Sequence, residues 1–560
     1  MATQITRTRT DETSKVDETS KAEETSKAEE MTEAEAKTAT ATREVISYDP
    51  ATGEEVGRVP VRSAEEVARA VARARAAQKA WGALGFRDRA RLVMRARALV
   101  LEEMDEVARL ISRESGKPAA EAIAMEIVPT LDLMQFFARG AERLLKPEKI
   151  DIGLYRFMGR SSTVEYRPLG VVAVVSPWNF PWAIPLGEVV MALMAGNSVV
   201  LKPSELTPFV ALKIGDVFKR AGLPEGVLEI LTGDGSTGAA LVEAGANKIM
   251  FTGSVATGRR VAEVAARKLT PVVLELGGKD PFVVFEDADL DAASSAAVWG
   301  AFANAGQACA SVERCYVQER VAVDFTSRVV EKVKELRQAV GDGADICAMS
   351  SERQLRTVEE HIGDAIARGA RVLTGGSRSP GLGERGTFHE PTVLADVDHS
   401  MAVMRDETFG PVLPIMTFKT EDEAVRLAND SHFGLTASVW TRNIRRGRRI
   451  ASRIEAGTVM VNEVLYTHGI AQTPWGGVKQ SGMGRTHGRL GLLELVAPHH
   501  VHVNRLAVLQ DVWWFAYTPG AAKLFRSLAR RFSTGSLLQA ALLSPQMLRR
   551  LRERRRKSGV

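Results

Sequence analysis

The chain has 560 residues, of which 45% are hydrophobic and 26% are charged. This composition excludes a fibrous or fully disordered protein, and the length is sufficient for about two to four domains. The three cysteines (Cys309, Cys315 and Cys347) are too few for a disulfide framework. Because sparse cysteines are typical of a reducing compartment, we predict a cytoplasmic protein.

The net charge of +5 is distributed unevenly along the chain. Residues 1–42 carry ten acidic and six basic side chains, whereas residues 505–560 carry two acidic and twelve basic ones. The remainder is almost neutral, so the basic isoelectric point reflects the tail and no nucleic-acid partner is expected.

The N-terminal segment repeats a six-residue unit through residues 11–30, in the forms DETSKV, DETSKA and EETSKA. This unit has no large apolar side chain whose burial could offset the entropy lost on ordering. We therefore predict that residues 1–42 form a disordered acidic extension.

The ordered part begins with a helical pattern and continues with strands that alternate with helices. Helical periodicity extends from Ser63 to about Leu145. Short β-branched runs then follow at residues 171–176, 198–201, 227–231, 248–251 and 271–276. A second series contains strands at 282–285 and 313–319 and helices at 289–304 and 321–340. Such alternation predicts an α/β fold with two doubly wound, parallel lobes.

Residues 168–187 form the longest uncharged run, with the length of a membrane span. The run contains Pro168, Pro177, Pro181 and Pro185, which would remove or strain backbone hydrogen bonds that lipid cannot replace. We predict a strand followed by a loop.

Two glycine-containing turns follow predicted strands and precede predicted helices. Residues 233–238 match the pattern G-x-G-x-x-G, and residues 251–254 with Gly258 form a second turn before a helix predicted at 259–268. Backbone N–H groups at such turns attract phosphate, but ordinary glycine turns and helix caps have the same pattern.

Two residues are candidates for catalysis on local grounds. Cys309 lies in a loop of small residues, which favours an accessible thiol, whereas Cys315 lies in an alternating strand pattern and is predicted to be packed. Glu275 ends an apolar strand, so it is either a functional carboxylate or the ion-pair partner of Lys279. No histidine or cysteine spacing indicates zinc, and we predict no metal site.

Seven motifs occur in one order along the chain. They are Ser176-Pro177-Trp178-Asn179-Phe180-Pro181, Lys202-Pro203-Ser204-Glu205, Phe251-Thr252-Gly253-Ser254, Glu275-Leu276-Gly277-Gly278-Lys279, Gly306-Gln307-Ala308-Cys309, Glu407-Thr408-Phe409-Gly410-Pro411 and Pro474-Trp475-Gly476-Gly477. This series resembles the aldehyde dehydrogenase superfamily over residues 44–504.

The resemblance implies a covalent mechanism with three catalytic residues. Cys309 would attack the aldehyde, while the Asn179 side-chain amide and the Cys309 backbone N–H would bind the resulting oxyanion. Hydride transfer would leave a thioester, and Glu275 would activate the water that hydrolyses it. This places the chain in the hydrolytic branch and argues against transfer to coenzyme A.

The resemblance also implies a nicotinamide dinucleotide cofactor. Its predicted contacts are Val175, Ser176, Pro177, Trp178, Lys202, Glu205, Gly235, Phe251, Gly253, Ser254, Gly258, Leu276, Gln354, Glu407 and Phe409. A carboxylate at Glu205 would accept hydrogen bonds from the adenosine ribose but would repel a 2′-phosphate, so we predict NAD rather than NADP.

The family's domain organisation implies three parts for the region that resembles it, and composition adds an extension before them and a tail after them. We predict an NAD-binding domain at 43–150 and 169–276, a catalytic thiol domain at 277–488, an oligomerisation arm at 151–168 and 489–504, and a basic aromatic tail at 505–560 after the acidic extension at 1–42. The arm implies a homodimer or a homotetramer.

The substrate prediction depends on Ala303, six residues before the nucleophile. Succinate-semialdehyde dehydrogenases commonly have an arginine there that holds the distal carboxylate, so alanine favours an uncharged or lipophilic aldehyde. Succinate semialdehyde remains the alternative substrate, because another arginine could reach the tunnel. A non-catalytic scaffold that binds a membrane or a partner is the alternative of another class.

The tail has the composition of an interfacial helix. Trp513, Trp514, Phe515 and Tyr517 precede a predicted helix at 521–532. On that helix, apolar side chains (Leu524, Phe525, Leu528 and Phe532) share one face, with cations largely on the other. The tail either binds an anionic membrane surface, which would make the protein peripheral at the membrane, or packs on the protein itself.

Overall fold

A computed structural model describes residues 43–341, 343–382, 386–506 and 511–533, together with Pro545. The predicted extension 1–42 and most of the basic end of the tail lie outside the described residues. The described part forms two α/β lobes, an N-terminal hairpin, a small antiparallel sheet and a C-terminal helix. The α/β fold class with two parallel-sheet lobes is confirmed.

The first lobe contains a six-stranded sheet in which five strands are parallel. In spatial order the strands are Gly482–Met483, Val272–Glu275, Lys248–Thr252, Val171–Val175, Ser198–Lys202 and Leu228–Ile230. The short first strand pairs antiparallel to its neighbour, so residues 482–483 join this sheet although they lie within the predicted thiol domain at 277–488.

Both faces of this sheet are covered by apolar side chains. Val172 and Val174 belong to one hydrophobic core, while Val171 and Ala173 belong to the other. Successive residues of a strand enter different cores and are therefore all apolar, which is why these strands are continuous apolar runs in the sequence. The helices of this lobe are Ala64–Ala83, Phe86–Glu102, Met104–Ser115, Ala119–Ala122, Val128–Leu144, Ala183–Met194, Pro208–Arg220, Gly235–Glu243 and Val255–Arg267.

The second lobe contains a seven-stranded sheet. In spatial order its strands are Arg371–Thr374, Thr392–Ala395, Val412–Phe418, Val312–Gln318, Asp280–Val284, Thr436–Trp440 and Thr458–Val461, with the first antiparallel to the second and the rest parallel. Its helices are Leu290–Phe302, Ala322–Lys334, Glu352–Ala367, Ala402–Arg405, Glu421–Asn429 and Ile444–Ala451. Cys315 is fully buried in a central strand, as predicted.

Two smaller sheets complete the fold. The hairpin pairs Glu44–Tyr48 with Glu55–Pro60. The second is a three-stranded antiparallel sheet of Val496–Asn504, Arg160–Pro168 and Glu148–Ile150. This sheet corresponds to the predicted arm, but it begins at Glu148 rather than at residue 151, and the helix Gly488–Leu493 precedes its last strand.

The prediction of a strand and then only a loop for residues 168–187 is wrong in its last part. The strand Val171–Val175 is present, but the helix Ala183–Met194 begins within the run. Pro185 is the third residue of that helix, where a backbone N–H would have no intrahelical partner. A proline in the first turn therefore does not break a helix.

The C-terminal helix Pro519–Phe532 covers the predicted helix and begins two residues earlier. Its buried residues Leu524 and Leu528 pack with Val512 of the same tail, and the rings of Phe525 and Trp513 stack with centroids 5.4 Å apart. Of the two alternatives for the apolar face, a membrane surface or packing on the protein, these contacts agree with packing, because the tail itself largely covers the face.

Candidate active site

The carboxyl ends of four parallel strands meet at one edge of the first sheet. Val175 is level with Lys202 on one side and with Phe251 on the other, and Thr252 is level with Glu275. Ligands of open α/β sheets bind at this edge, beyond the strand ends. The register therefore brings together motifs that are up to 100 positions apart in sequence.

A cleft of about 220 Å³ lies at this edge, between the two lobes. Its lining includes eight of the predicted cofactor residues, together with all three predicted catalytic residues. The eight are Pro177, Trp178, Gly253, Ser254, Leu276, Gln354, Glu407 and Phe409. Ser254 also caps the helix Val255–Arg267, so the amino end of a helix and its free N–H groups face the region expected to bind phosphate. These residues fit a dinucleotide.

The other predicted cofactor residues divide into two groups. Val175, Ser176, Lys202, Glu205 and Gly235 lie at or just beyond the same strand ends, with Lys202 Nζ 3.4 Å from Glu205 Oε2. The Glu205 side chain is 49% exposed, whereas burial lowers the pKa of Lys202.

Phe251 and Gly258 form the second group, and both are closely packed. Phe251 is buried in its strand, and a Cβ on Gly258 would lie 2.5 Å from Leu276 Cδ2. A side chain at position 258 would therefore have to displace the Leu276 side chain. Neither Phe251 nor Gly258 belongs to the described lining of the cleft.

The loop that carries Cys309 is fixed by strained backbone and internal hydrogen bonds. Asn304 and Ala305 both have φ of +52°, a conformation that costs energy for residues with a side chain. The Asn304 amide donates to the carbonyls of Asn179 and Gln307 at 3.0 and 3.1 Å. The Gln307 side chain in turn donates to the Asn304 carbonyl and accepts from Ser350 N–H. This network holds the nucleophile loop against the Asn179 segment.

Asn179 is itself held from behind by a buried ion pair. The Lys117 ammonium lies 2.6 Å from Glu126 Oε1 and donates to the Asn179 carbonyl at 2.9 Å. Glu126 also accepts from the backbone N–H groups of Trp182 and Ala183. The Asn179 side chain donates one N–H to the Gln307 carbonyl at 3.1 Å, which leaves its second N–H available for a substrate oxygen.

Glu275 is buried, and neither of its carboxylate oxygens has a hydrogen-bond partner. The alternative that Glu275 pairs with Lys279 is wrong, because Lys279 Nζ lies 2.5 Å from Glu313 Oε2 instead. Burial and the neighbouring carboxylate of Glu188 raise the pKa of Glu275 well above its usual range, while Arg485 and Trp475 oppose this shift. An unpaired buried carboxylate beside a thiol is what a general base requires.

The Glu407–Phe409 segment is positioned from the second lobe. Glu313 accepts from the backbone N–H groups of Thr408 and Phe409, and Gln354 donates to their carbonyls. Glu407 accepts from Gly278 N–H at 3.0 Å, and burial raises the pKa of Glu407 to about 8.

The Cys309 side chain is half-buried rather than openly accessible. Burial and, to a lesser degree, the charges of Asp280, Glu407 and Glu275 raise the pKa of the Cys309 thiol above its usual range. The resemblance implies a reactive thiolate, whereas burial and the neighbouring carboxylates favour a protonated thiol.

Cys309 lies where three cavities meet. It lines the cleft described above, a small chamber that contains Glu275, and an apolar tunnel of about 520 Å³. The tunnel walls include Met125, Phe180, Ile184, Trp299, Leu465 and Trp475. Among the described residues of its lining, Asp132 is the only aspartate or glutamate, and no lysine or arginine contributes.

Large apolar side chains are exposed along the tunnel lining. Val128, Trp299 and Tyr466 line the tunnel yet remain 55%, 43% and 59% exposed, which places them near its mouth. Ala303 is buried at the end of the helix Leu290–Phe302 and is not among the described residues of the lining. Sequence reasoning quoted Phe180 and Trp475 within motifs but did not place them on a tunnel, and it missed Met125, Trp299 and Leu465, which lie outside the quoted motifs.

Elsewhere in the described chain, no cluster of three or more histidine, cysteine, aspartate or glutamate side chains is arranged to hold a metal ion. None of the described helices combines the length and the apolar character needed to cross a bilayer.

Comparison with known proteins agrees with this geometry. The model of the aldehyde dehydrogenase family matches residues 37–501. A 4,4′-diapolycopene aldehyde oxidase of Methylomonas sp. is 39% identical over 510 residues, which are 91% of this chain and 95% of that protein. A Mycolicibacterium smegmatis protein, provisionally named as an NADP(+) succinate-semialdehyde dehydrogenase, is 41% identical over 84% of this chain and 92% of its own length.

A solved structure of an aldehyde dehydrogenase is also similar to this chain. A Mycobacterium tuberculosis aldehyde dehydrogenase in complex with NAD+ is 35% identical, with a TM-score of 0.79 over 85% of this chain and 96% of that one. Because the family model covers most of the chain and the catalytic motifs converge on one cleft, the chain belongs to the aldehyde dehydrogenase family, as an oxidoreductase that oxidises an aldehyde with a nicotinamide dinucleotide.

Proposed function

We propose that this aldehyde dehydrogenase oxidises an uncharged, lipophilic aldehyde, with Cys309 as nucleophile, Asn179 as oxyanion donor and Glu275 as general base. The observation that carries this proposal is the position of Cys309. Its thiol lies at the meeting point of the apolar tunnel, the cofactor cleft and the chamber of Glu275. An aldehyde that enters the tunnel thus has its carbonyl beside all the groups that the reaction needs.

In the first half-reaction the Cys309 sulfur releases its proton to solvent and bonds to the carbonyl carbon. The carbonyl oxygen becomes an oxyanion, which accepts hydrogen bonds from the second Asn179 amide N–H and the Cys309 backbone N–H. A nicotinamide dinucleotide bound in the cleft supplies the hydride acceptor. The product on the protein is a thioester at Cys309.

In the second half-reaction Glu275 removes a proton from water. The water oxygen bonds to the thioester carbon, the carbon–sulfur bond breaks, and the carboxylic acid leaves, with Cys309 restored as the thiolate and the proton held by Glu275. Because burial already raises the pKa of Glu275, its carboxylate is a stronger base than a solvated one.

The substrate class follows from the tunnel. An apolar chain gains free energy from removal of its surface from water, and the walls offer it aromatic and aliphatic contacts. A distal carboxylate would find no lysine or arginine among the described lining residues and would approach Asp132. Succinate semialdehyde is the second candidate, favoured by the name of the M. smegmatis relative.

We further propose that NAD is preferred over NADP. The half-exposed Glu205 carboxylate lies beside Lys202 at the strand ends, where a 2′-phosphate would meet its charge. The relatives differ in cofactor: the M. tuberculosis structure holds NAD+, whereas the M. smegmatis protein is named for NADP(+).

A chain-length series tests the substrate class. We expect kcat/KM to rise about fourfold for each added methylene until the tunnel is filled, from about 0.8 kcal/mol per buried methylene. NADH absorbance measures the rate, and the Cys309→Ala variant is the control without a nucleophile. A higher kcat/KM for succinate semialdehyde than for hexanal would contradict the proposal.

We also propose an assembly state from the three-stranded sheet and a cellular location from the cysteines. Both edges of the three-stranded sheet have unpaired backbone groups within the described chain, which suits pairing with another copy in a homodimer or homotetramer. The sparse reduced cysteines fit a cytoplasmic protein. Sedimentation equilibrium measures the assembly state.

We propose peripheral membrane binding from exposed aromatic residues before the C-terminal helix and from nearby cations, rather than from the apolar face of that helix. Trp514, Phe515 and Tyr517 are 56%, 79% and 64% exposed, and the nearby Lys523, Arg526 and Arg530 face solvent. Sedimentation with anionic vesicles, compared with a chain that ends at Asn504, tests this proposal. Equal sedimentation of the two chains would contradict it.

A further inference from the structure

The chamber beside Cys309 contains a second glutamate that the proposed mechanism does not use. This chamber has a volume of about 20 Å³, and its titratable lining residues are Glu188, Glu275, Cys309, His468 and His487. A cavity needs about 10–15 Å³ of such space to hold one water molecule, so the chamber has room for one. Water in this position would lie between the two carboxylates and the sulfur.

Glu188 projects from the helix Ala183–Met194, whose other residues are all buried as well. Its Oε1 accepts a long hydrogen bond of 3.4 Å from Thr252 Oγ1, and its Oε2 has no partner. Two neighbouring buried carboxylates with three unpartnered oxygens are expensive to maintain as structure alone. An apolar residue would serve a purely structural role better at this position.

The groups that face Glu188 do not neutralise it. His468 and His487 belong to other segments of the chamber wall, and burial lowers the pKa of His468 to about 4 and that of His487 well below its usual value. Both imidazoles are therefore uncharged at neutral pH. Arg485 is the cation that acts on Glu275, and it donates to the carbonyls of Gly477 and Gly484 rather than to either carboxylate.

We propose that Glu188 is a positioning residue for thioester hydrolysis: its negative charge strengthens Glu275 as the base, and through the chamber water it receives the proton that Glu275 takes from the attacking water. This inference rests on the proposed function. When Glu275 takes a proton from the attacking water, the hydroxide oxygen bonds to the acyl carbon and the carbon–sulfur bond breaks. The proton then passes from Glu275 to the ionised Glu188, so that Glu275 is free again when the carboxylic acid leaves.

The electrostatics agree with this geometry. Burial raises the pKa of Glu188 to about 8, and the charge of Glu188 is the second cause, after burial, of the raised pKa of Glu275. Two carboxylates coupled in this way lose their protons in two steps that belong to the pair.

The Glu188→Gln variant tests the proposal through the pH dependence of hydrolysis. Acyl-enzyme is formed in one turnover, and its decay is followed by intact mass over a range of pH. We expect the acid limb of the hydrolysis rate to move to lower pH by about one unit or more, because Glu275 loses the neighbouring charge. We also expect the maximal rate to fall about tenfold, while acyl-enzyme forms at the normal rate.

Two further variants make the test specific. Glu188→Met also removes the charge and should give the same shift if the glutamine variant folds poorly. Glu114→Gln is a matched control, because Glu114 is equally buried but is bound by Ser47, Phe209 and Val210 outside the chamber. An unshifted acid limb in folded Glu188 variants would overturn the proposal, as would a shift of the same size in Glu114→Gln.

Failure of this inference is distinguishable from failure of the proposed function. If Cys309→Ala still forms NADH at the wild-type rate, the proposed function fails whatever Glu188 does. If Cys309→Ala is inactive but the Glu188 variants keep the wild-type pH profile, only the role of Glu188 is wrong.

Discussion

Gly278 lies so close to the nucleophile loop that a single methyl group should displace it. A Cβ at position 278 would be 2.3 Å from the Cys309 carbonyl oxygen and 2.9 Å from Asp280 Oδ1. Real carbon–oxygen contacts of this kind are rarely below 3.0 Å. The Gly278→Ala substitution therefore forces the strand end and the Cys309 loop apart by about 1 Å.

We expect this displacement to reduce the rate of the catalysed reaction. A misplacement of about 1 Å at a reacting group can reduce the rate by about 100-fold. The loop cannot relax freely, because the Asn304 side chain donates to the Asn179 carbonyl and the Gln307 carbonyl accepts from the Asn179 side chain. We expect kcat/KM of Gly278→Ala to fall about 100-fold at saturating NAD+, measured by NADH absorbance with a medium-chain aldehyde.

A matched glycine provides the control. Gly363 lies inside the helix Glu352–Ala367, and a Cβ there would meet no atom within 4 Å. Gly363→Ala should keep full activity and should stabilise the protein by about 0.5–1 kcal/mol, because alanine is the better helix former. If Gly278→Ala retains activity within threefold of wild type, the inferred closeness of the strand end to the nucleophile loop is wrong.

Three other variants are expected to give the following results. Alkylation of the Cys309 thiol in the absence of cofactor should require a pH above the usual cysteine pKa. Glu407→Gln should lower the midpoint pH of this alkylation, because one of the charges that raise the pKa of the thiol is removed. Peptide mass spectrometry measures the alkylation in both proteins. Lys117→Met leaves Glu126 buried without its cation, so the free energy of unfolding should fall by about 3–5 kcal/mol in urea titrations. Glu205→Gln should raise kcat/KM with NADP+ about tenfold, since about 1.4 kcal/mol of repulsion is removed; an unchanged value would contradict the proposed NAD preference.

Much of the site could be predicted from sequence because its parts stand at the ends of strands. Glu275 and the Phe251–Ser254 turn each follow a short apolar run, and parallel strands bring such ends to one edge. The α/β class follows from the same alternation of strands and helices. These features depend on local pattern, which a single sequence contains.

The chamber could not be predicted in the same way. Glu188, His468 and His487 are separated by up to 299 positions and meet only because the two lobes close around Cys309. Each one alone has the sequence signature of an ordinary buried polar residue. The partner of Lys279 was missed for the same reason, because Glu313 lies on the adjacent strand of the second sheet.

The number of prolines in residues 168–187 led to the wrong prediction of a loop where a helix begins. The rule that proline breaks a helix applies to the interior, whereas Pro185 stands in the first turn of Ala183–Met194. The tail shows a related limit, since an amphipathic helix has the same pattern whether its apolar face meets lipid or protein. In this chain Val512 and Trp513 cover that face.

Intact-mass measurement of the Glu275→Gln variant tests the central claim most directly. After the variant is mixed with NAD+ and an aldehyde, the protein should gain the mass of one acyl group, and peptide mapping should place that group on Cys309. The adduct should persist for many wild-type turnovers, because the base that activates water has been removed. An adduct on another residue, or free turnover with no adduct, would contradict the account.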